Sequence, residues 1–141
     1  MGATADAAAG DGAAKRLSIT AGQVVQELGY DSDVDHDLRD DVEDVIGAEM
    51  LDEEAVESVD VVLLWWRQDD GDLVDALVDS LTSLGESGVV WLLSPKSGRP
   101  GHVEPADIDD AAPTAGLHAT STISATADWS GTRLVARSRK A

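Results

Sequence analysis

The chain of 141 residues contains no cysteine. That absence excludes a disulfide framework, a thiol nucleophile and a thiolate zinc site. Long apolar runs are missing too, and no stretch approaches the roughly 20 residues needed to span a bilayer. The opening MGATADAAAGDGAAKR is rich in Ala and Gly but lacks a continuous apolar core, so it does not read as a secretory signal. Neither a Gly-x-Ser-x-Gly elbow nor a Walker loop occurs. A cytoplasmic protein with no membrane segment is the expectation.

Positive charge is the other scarcity. Lys and Arg number 10 against 28 Asp and Glu, a net charge of -18. Such a surface repels nucleic acid and anionic membrane, so nucleic acid is disfavoured as a partner. The acidity fits either a generally acidic protein or adaptation to high salt. It is also uneven: from Asp31 to Asp60 the only base is Arg39, whereas Lys96, Arg99, Arg133, Arg137, Arg139 and Lys140 lie in the last third.

What is present is a hydrophobic content of 43%, ordinary for one globular domain. Residues 1–16 are expected to be a disordered tail, 17–137 the domain, and 138–141 a flexible basic tail. Between Leu17 and Gly29 the β-branched pair Val24-Val25 favours a strand. Val34, Leu38, Val42, Val45 and Ile46 recur at helical spacing, with Ser32 or Asp33 as cap and Gly47 as stop. Ala48 to Leu51 reads as a short strand.

Val59 to His102 then reads as a β-α-β crossover. Val61 to Trp66 is apolar on both faces, suiting a central strand covered on both sides. Trp65 and Trp66 should point to opposite faces, both as core. Asp70 or Asp72 caps a helix from Asp72 to Leu84, which Gly85 and Gly88 end. Val89 to Leu93 is the next strand. Pro105 suits the first position of a third helix, Glu104 to Ala112, stopped near Pro113. Strands at Leu117 to Thr126 and Thr132 to Ala136 are expected around a tight turn at Trp129-Ser130-Gly131.

The segments GQVVQELGY, VVLLWWR, DGDLVDALVDSL, VVWLLSPKSGRPGHVEP, AAPTAGL and DWSGTRLV resemble the bacterial domain-of-unknown-function family 3052. That resemblance implies a compact Rossmann-like α/β domain and no particular activity. A more distant one is to class I methyltransferases, through the order of elements and Ala115-Gly116-Leu117. Those enzymes carry a Gly-rich loop after the first strand, whereas Glu27-Leu28-Gly29-Tyr30-Asp31 holds one glycine. The fold expected is therefore α/β: a single-domain Rossmann-like three-layer sandwich, with a mostly parallel sheet and an antiparallel C-terminal hairpin. No cofactor is expected.

Ligands of open α/β sheets lie beyond the carboxyl ends of the parallel strands. That places Arg67, Asp69, Asp70, Lys96, Arg99, His102 and Glu104 on one rim. Gly98 and Gly101 let backbone approach a ligand there, and the cations suit an anion. Trp129, beside Asp128 and Arg133, is a further candidate contact. His102 and Glu104 are too isolated a pair to indicate acid-base catalysis. Asp31, Asp33, Asp35 and Asp37 fail the calcium-loop pattern, which needs Gly and Glu where His36 and Val42 stand; no metal site is expected. These residues point to a non-enzymatic binding or regulatory protein, taking an anionic metabolite or a protein partner at the rim. The rival is a small diverged methyltransferase-like or nucleotide-using enzyme. The sequence leaves the oligomeric state open.

Overall fold

The computed structural model describes residues 12–136; the basic tail expected at 138–141 lies outside them. A five-stranded sheet runs in the order β1-β2-β3-β5-β4. Its strands are β1 (Val25–Leu28), β2 (Val59–Trp65), β3 (Leu84–Pro95), β4 (Leu117–Ser124) and β5 (Trp129–Ala136). The helices are α1 (Ala13–Arg16), α2 (His36–Ile46), α3 (Leu73–Ser80) and α4 (Pro105–Thr114). The first three strands are mutually parallel, while β5 is antiparallel to both β3 and β4. The sheet is thus mixed, and its parallel character is confined to the first three strands.

Side chains alternate across β2, so Val61, Leu63 and Trp65 join the core under α1 and α2, and Val62, Leu64 and Trp66 join the core under α3 and α4. Three layers result. Full burial of Trp65 is worth about 4–6 kcal/mol at about 25 cal/mol per Å² over the roughly 150–250 Å² that a large aromatic buries.

Several boundaries differ from the sequence expectation, each for a local reason. The stretch 12–16 is not loose: α1 buries Ala13 and Ala14, and the Asp41 carboxylate accepts from the Ala14 N–H at 2.9 Å. Strand β1 covers only the end of the apolar stretch from Leu17. The cap of α2 is Asp35, whose side chain accepts from the Leu38 N–H, rather than Ser32 or Asp33; Gly47 ends the helix in the left-handed conformation. Asp72 caps α3 as expected, but that helix stops at Ser80. Gly85 and Gly88 do not terminate it; they lie in β3, beside the register shift between Val59 and Val61 of β2, where a strand glycine admits a bulge. Pro113 falls in the last turn of α4 rather than ending it. Trp129 opens β5, so the turn before it is 125–128.

One ion pair ties sheet to helix. Glu27 on β1 is 7% exposed and accepts two hydrogen bonds from Arg39 of α2, itself 23% exposed, at 2.6 and 2.9 Å. The Trp65 indole N–H donates to the same carboxylate at 2.9 Å. Replacing Arg39 by Met strands that carboxylate in an apolar wall. A loss of about 2–4 kcal/mol is expected, somewhat below a sealed pair because Arg39 is partly solvated. In urea unfolding, adding Glu27→Gln to Arg39→Met should recover part of that loss; strictly additive losses would contradict the pairing.

Candidate functional site: the crevice between β1 and β2

Leu51 forms a parallel bridge to Gln26 on the edge of β1 opposite β2. The chain therefore leaves β1, passes through α2 on one face, touches the far edge, and crosses back to β2. From β2 it continues through α3 on the other face. The carboxyl ends of β1 and β2 are thus the switch point, where an open α/β sheet leaves a crevice. A crevice of about 680 Å³ lies there, its lining including Gly29, Tyr30, Glu53, Val56, Trp66, Arg67 and Asp79. Its volume is in the range of small-molecule sites.

Arg67, one residue beyond Trp66, organises this junction. Its side chain is 12% exposed. Nη1 donates to the carbonyls of Gly29 (2.8 Å) and Trp65 (3.3 Å) and to Asp70 (3.2 Å). Nε donates to Asp33 at 3.0 Å, and Nη2 also bonds that carboxylate. The guanidinium stands over the Trp129 ring, 5.4 Å from its centroid. Burial works against the charged form of Arg67, but its hydrogen bonds to the Asp33 and Asp70 carboxylates outweigh it and raise its pKa. The same hydrogen bond, against a smaller desolvation effect, holds the Asp33 carboxyl below its ordinary range.

Gly29 is required by the close approach of the two strands. Its φ is +76°, and a Cβ there would stand 2.2 Å from the Trp65 carbonyl oxygen. Its N–H donates to the Glu53 carboxylate at 3.1 Å. Tyr30 is half exposed and carries the Arg39 guanidinium 4.8 Å from its ring centroid. The acidic run that resembled a metal loop is divided among separate tasks: Asp31 accepts from Ser32 N–H, Asp33 holds Arg67, and Asp35 caps α2.

The rim expected from the sequence is only partly assembled. Arg67 and Asp70 are at the junction, and Asp69 is exposed beside them. The segment 96–102 packs on it, with Gln68 N–H donating to the Gly101 carbonyl at 2.9 Å. Its cations are engaged, however: Lys96 bonds the Ser124 hydroxyl, and Arg99 pairs with Asp128 at 3.1 Å. His102 Nδ1 lies 3.0 Å from the Pro95 carbonyl, and Nε2 is 3.7 Å from the exposed Glu104 carboxylate. The hollow beside His102 is only about 80 Å³. Trp129 is not a surface contact. It is 5% exposed and packs edge-on against Trp65 with centroids 4.8 Å apart, because its position at the start of β5 turns it into the core. Sequence reasoning missed Asp33, Tyr30 and Glu53; the lone Gly29 after β1 was the signal that marked the place.

The fold is that of a Rossmann-like α/β domain. The chain belongs to DUF3052, a family of proteins of unknown function, which it matches over residues 14–138. It is 52% identical over 122 residues to the uncharacterized protein Rv2239c of Mycobacterium tuberculosis, covering 86% of this chain and 77% of that one. The uncharacterized protein Mb2263c of Mycobacterium bovis matches equally. Among solved structures, a SAM-dependent methyltransferase from Aquifex aeolicus has a TM-score of 0.60 at 12% identity, covering 86% of this chain and 88% of that one. The O-methyltransferase NcsB1 of neocarzinostatin biosynthesis, in complex with S-adenosylmethionine and 2-hydroxy-5-methyl naphthoic acid, gives 0.63 at 14% identity, covering 94% and 52%. At these identities the likeness is one of fold. Among the described residues no helix is long and apolar enough to cross a membrane.

Two expectations follow for the junction. Gly29→Ala should lower stability by at least about 2 kcal/mol in chemical denaturation, because left-handed strain adds to a backbone clash. The depressed pKa of Asp33 means that its contribution to stability is present above the ordinary carboxylate value of about 3.9 and is lost as pH falls through the lower folded value. Urea midpoints measured against pH should therefore fall less steeply below about pH 4 in Asp33→Asn than in the unmodified protein.

Proposed function

We propose that this chain is a non-enzymatic small-molecule binding protein on a methyltransferase-like fold, with its ligand in the crevice at the ends of β1 and β2. The observation that carries the proposal is the charge of the lining. Asp31, Glu53, Glu54, Asp70 and Asp79 face one cation, Arg67, whose charge Asp33 and Asp70 already neutralise. Carboxylates around a concave wall favour a cationic or hydroxyl-rich ligand. S-adenosylmethionine, with which NcsB1 was solved, has such chemistry in its sulfonium, its amine and its ribose. The anionic ligand first expected at Lys96 and Arg99 has less support, because those side chains have protein acceptors and the hollow behind them is small.

Binding without catalysis is favoured by what has become of the first-strand loop. The Gly29 N–H is held by Glu53 and the Gly29 carbonyl by Arg67, so both backbone groups nearest the crevice are already bonded. A diverged methyltransferase is the second reading, supported by the coincidence of the crevice with the switch point of the fold. Thermal unfolding with S-adenosylmethionine, S-adenosylhomocysteine, ATP and inorganic phosphate distinguishes the cases. Stabilisation by S-adenosylmethionine, about 2.7 kcal/mol at a concentration of a hundred times Kd, is expected, weakened in Asp79→Asn and absent with phosphate. Stabilisation by ATP or phosphate alone, abolished in Lys96→Glu/Arg99→Glu, would return the site to the rim. Release of S-adenosylhomocysteine in the presence of a methyl acceptor would establish the enzyme.

A further inference from the structure

The other edge of the sheet carries a second surface. Strand β4 is the terminal strand, paired with β5 on one side and with no strand on the other among the described residues. An open edge presents unbonded N–H and C=O groups, which proteins ordinarily protect with lysine, proline or a covering element. Here that protection is slight. From Ala111 to Ala127 the chain has no Asp, Glu, Lys or Arg, in a molecule of net charge -18. Strand β4 itself reads LHATSTIS, rich in β-branched residues, and most of it is exposed.

Besides the Lys96 ammonium at the Ser124 hydroxyl, the edge device present is a register shift between Ala119 and Ser121. It is tied down locally: Arg133 of β5 donates to the Thr120 hydroxyl at 3.1 Å. Beyond it Ser121, Thr122, Ile123 and Ser124 continue in regular register against Arg133, Thr132, Gly131 and Ser130. The shift therefore interrupts the strand at Thr120 and leaves a straight, uncharged segment after it. A hollow of about 610 Å³, bordered by Asp109, Pro113, Leu117, His118, Ala119 and Val135, opens along the first half of the same strand.

We infer that β4 is a self-association edge, and that its occupant is β4 of a second copy of this chain, antiparallel across a two-fold axis. The charge distribution selects that occupant. Over most of the surface two copies repel one another, and a strongly basic partner would find its complement on the acidic segment between Asp31 and Asp60 rather than at β4. At β4 the strand's own residues are uncharged and the nearest cations, Lys96 at Ser124 and Arg133 at Thr120, offset the general acidity, so repulsion between copies is weakest there, and a two-fold axis lets one patch complement itself. The result is one continuous sheet of ten strands. Because the remaining surfaces repel, added salt should strengthen the association.

The absence of cysteine supplies a clean test. Ser121→Cys, Thr122→Cys and Ser124→Cys each introduce a unique thiol at an exposed position of the segment. Opposed residues of antiparallel strands have Cα atoms about 4.5–5.5 Å apart, within disulfide reach. Mild oxidation should give a covalent dimer in high yield at the one or two positions nearest the axis, and little at a control such as Val56→Cys. Light scattering of the unmodified protein at about 100 µM, where weak edge pairing is populated, should show a dimer fraction that rises with salt. Thr122→Lys should abolish it while the circular dichroism is unchanged. If Thr122→Lys fails to fold, the cysteine scan decides. A monomer at every salt concentration, or equal crosslinking at all positions and the control, overturns the inference. Strand pairing with some other protein in place of a second copy would appear as the same monomer and overturns it equally.

Discussion

The architecture depends on the guanidinium of Arg67. Two parallel strands ending side by side leave carbonyl oxygens pointing into the same gap, and nothing in the sheet ladder satisfies them. Arg67 reaches across that gap from the end of β2, bonds the carbonyls of Gly29 and Trp65, and is itself held by Asp33 from the loop before α2. The Trp129 ring closes it from the side of β5. One side chain thereby links β1, β2, the entry to α2 and the antiparallel strand. The cost of burying its charge is offset by two carboxylates, and the depressed pKa of Asp33 is the record of that exchange.

This arrangement accounts for the single glycine that follows β1. Gly29 remains because β1 and β2 approach too closely for any Cβ. Beyond it, Asp31 and Asp33 are used for bonds within the protein instead of leaving free backbone for a ligand. The crevice that survives is edged by carboxylates and by the exposed side chains of Tyr30 and Val56. Its lining is rich in side chains that accept hydrogen bonds.

Much of the fold was legible in the sequence because it is written in periodicity. The double-sided apolar run at Val61 to Trp66 marked the central strand, and the stripe through Leu38, Val42 and Ile46 marked α2. What escaped was set by tertiary contact. Four small residues at Ala13–Arg16 form a helix only because α2 offers a surface and Asp41 a partner. Gly85 and Gly88 looked like helix stops, yet a bulge in the adjoining strand pair takes them into β3. The rim expected from the sequence and the crevice both lie at the carboxyl ends of the parallel strands, but the crevice opens between β1 and β2 rather than beside Lys96 and Arg99. Basic residues in a Gly-containing loop drew attention to Lys96 and Arg99, and spacing alone cannot show that Ser124 and Asp128 would occupy them. Trp129 misled for a similar reason: a turn signature preceded it, but its side chain had Trp65 to pack against.

The most direct test of the account uses the tryptophan indole N–H resonances together with the backbone amides in a titration with S-adenosylmethionine. Trp65 and Trp66 are among the residues lining the crevice, whereas Trp91 is not, and its buried indole N–H donates to the Leu17 carbonyl. Shifts are expected at the Trp66 indole, at the backbone amides of Trp65 and Trp66 and at the amides of Gly29, Tyr30 and Glu53, with Trp91 unmoved. Shifts confined to Lys96 through His102, with Trp65 and Trp66 unchanged, would contradict the account.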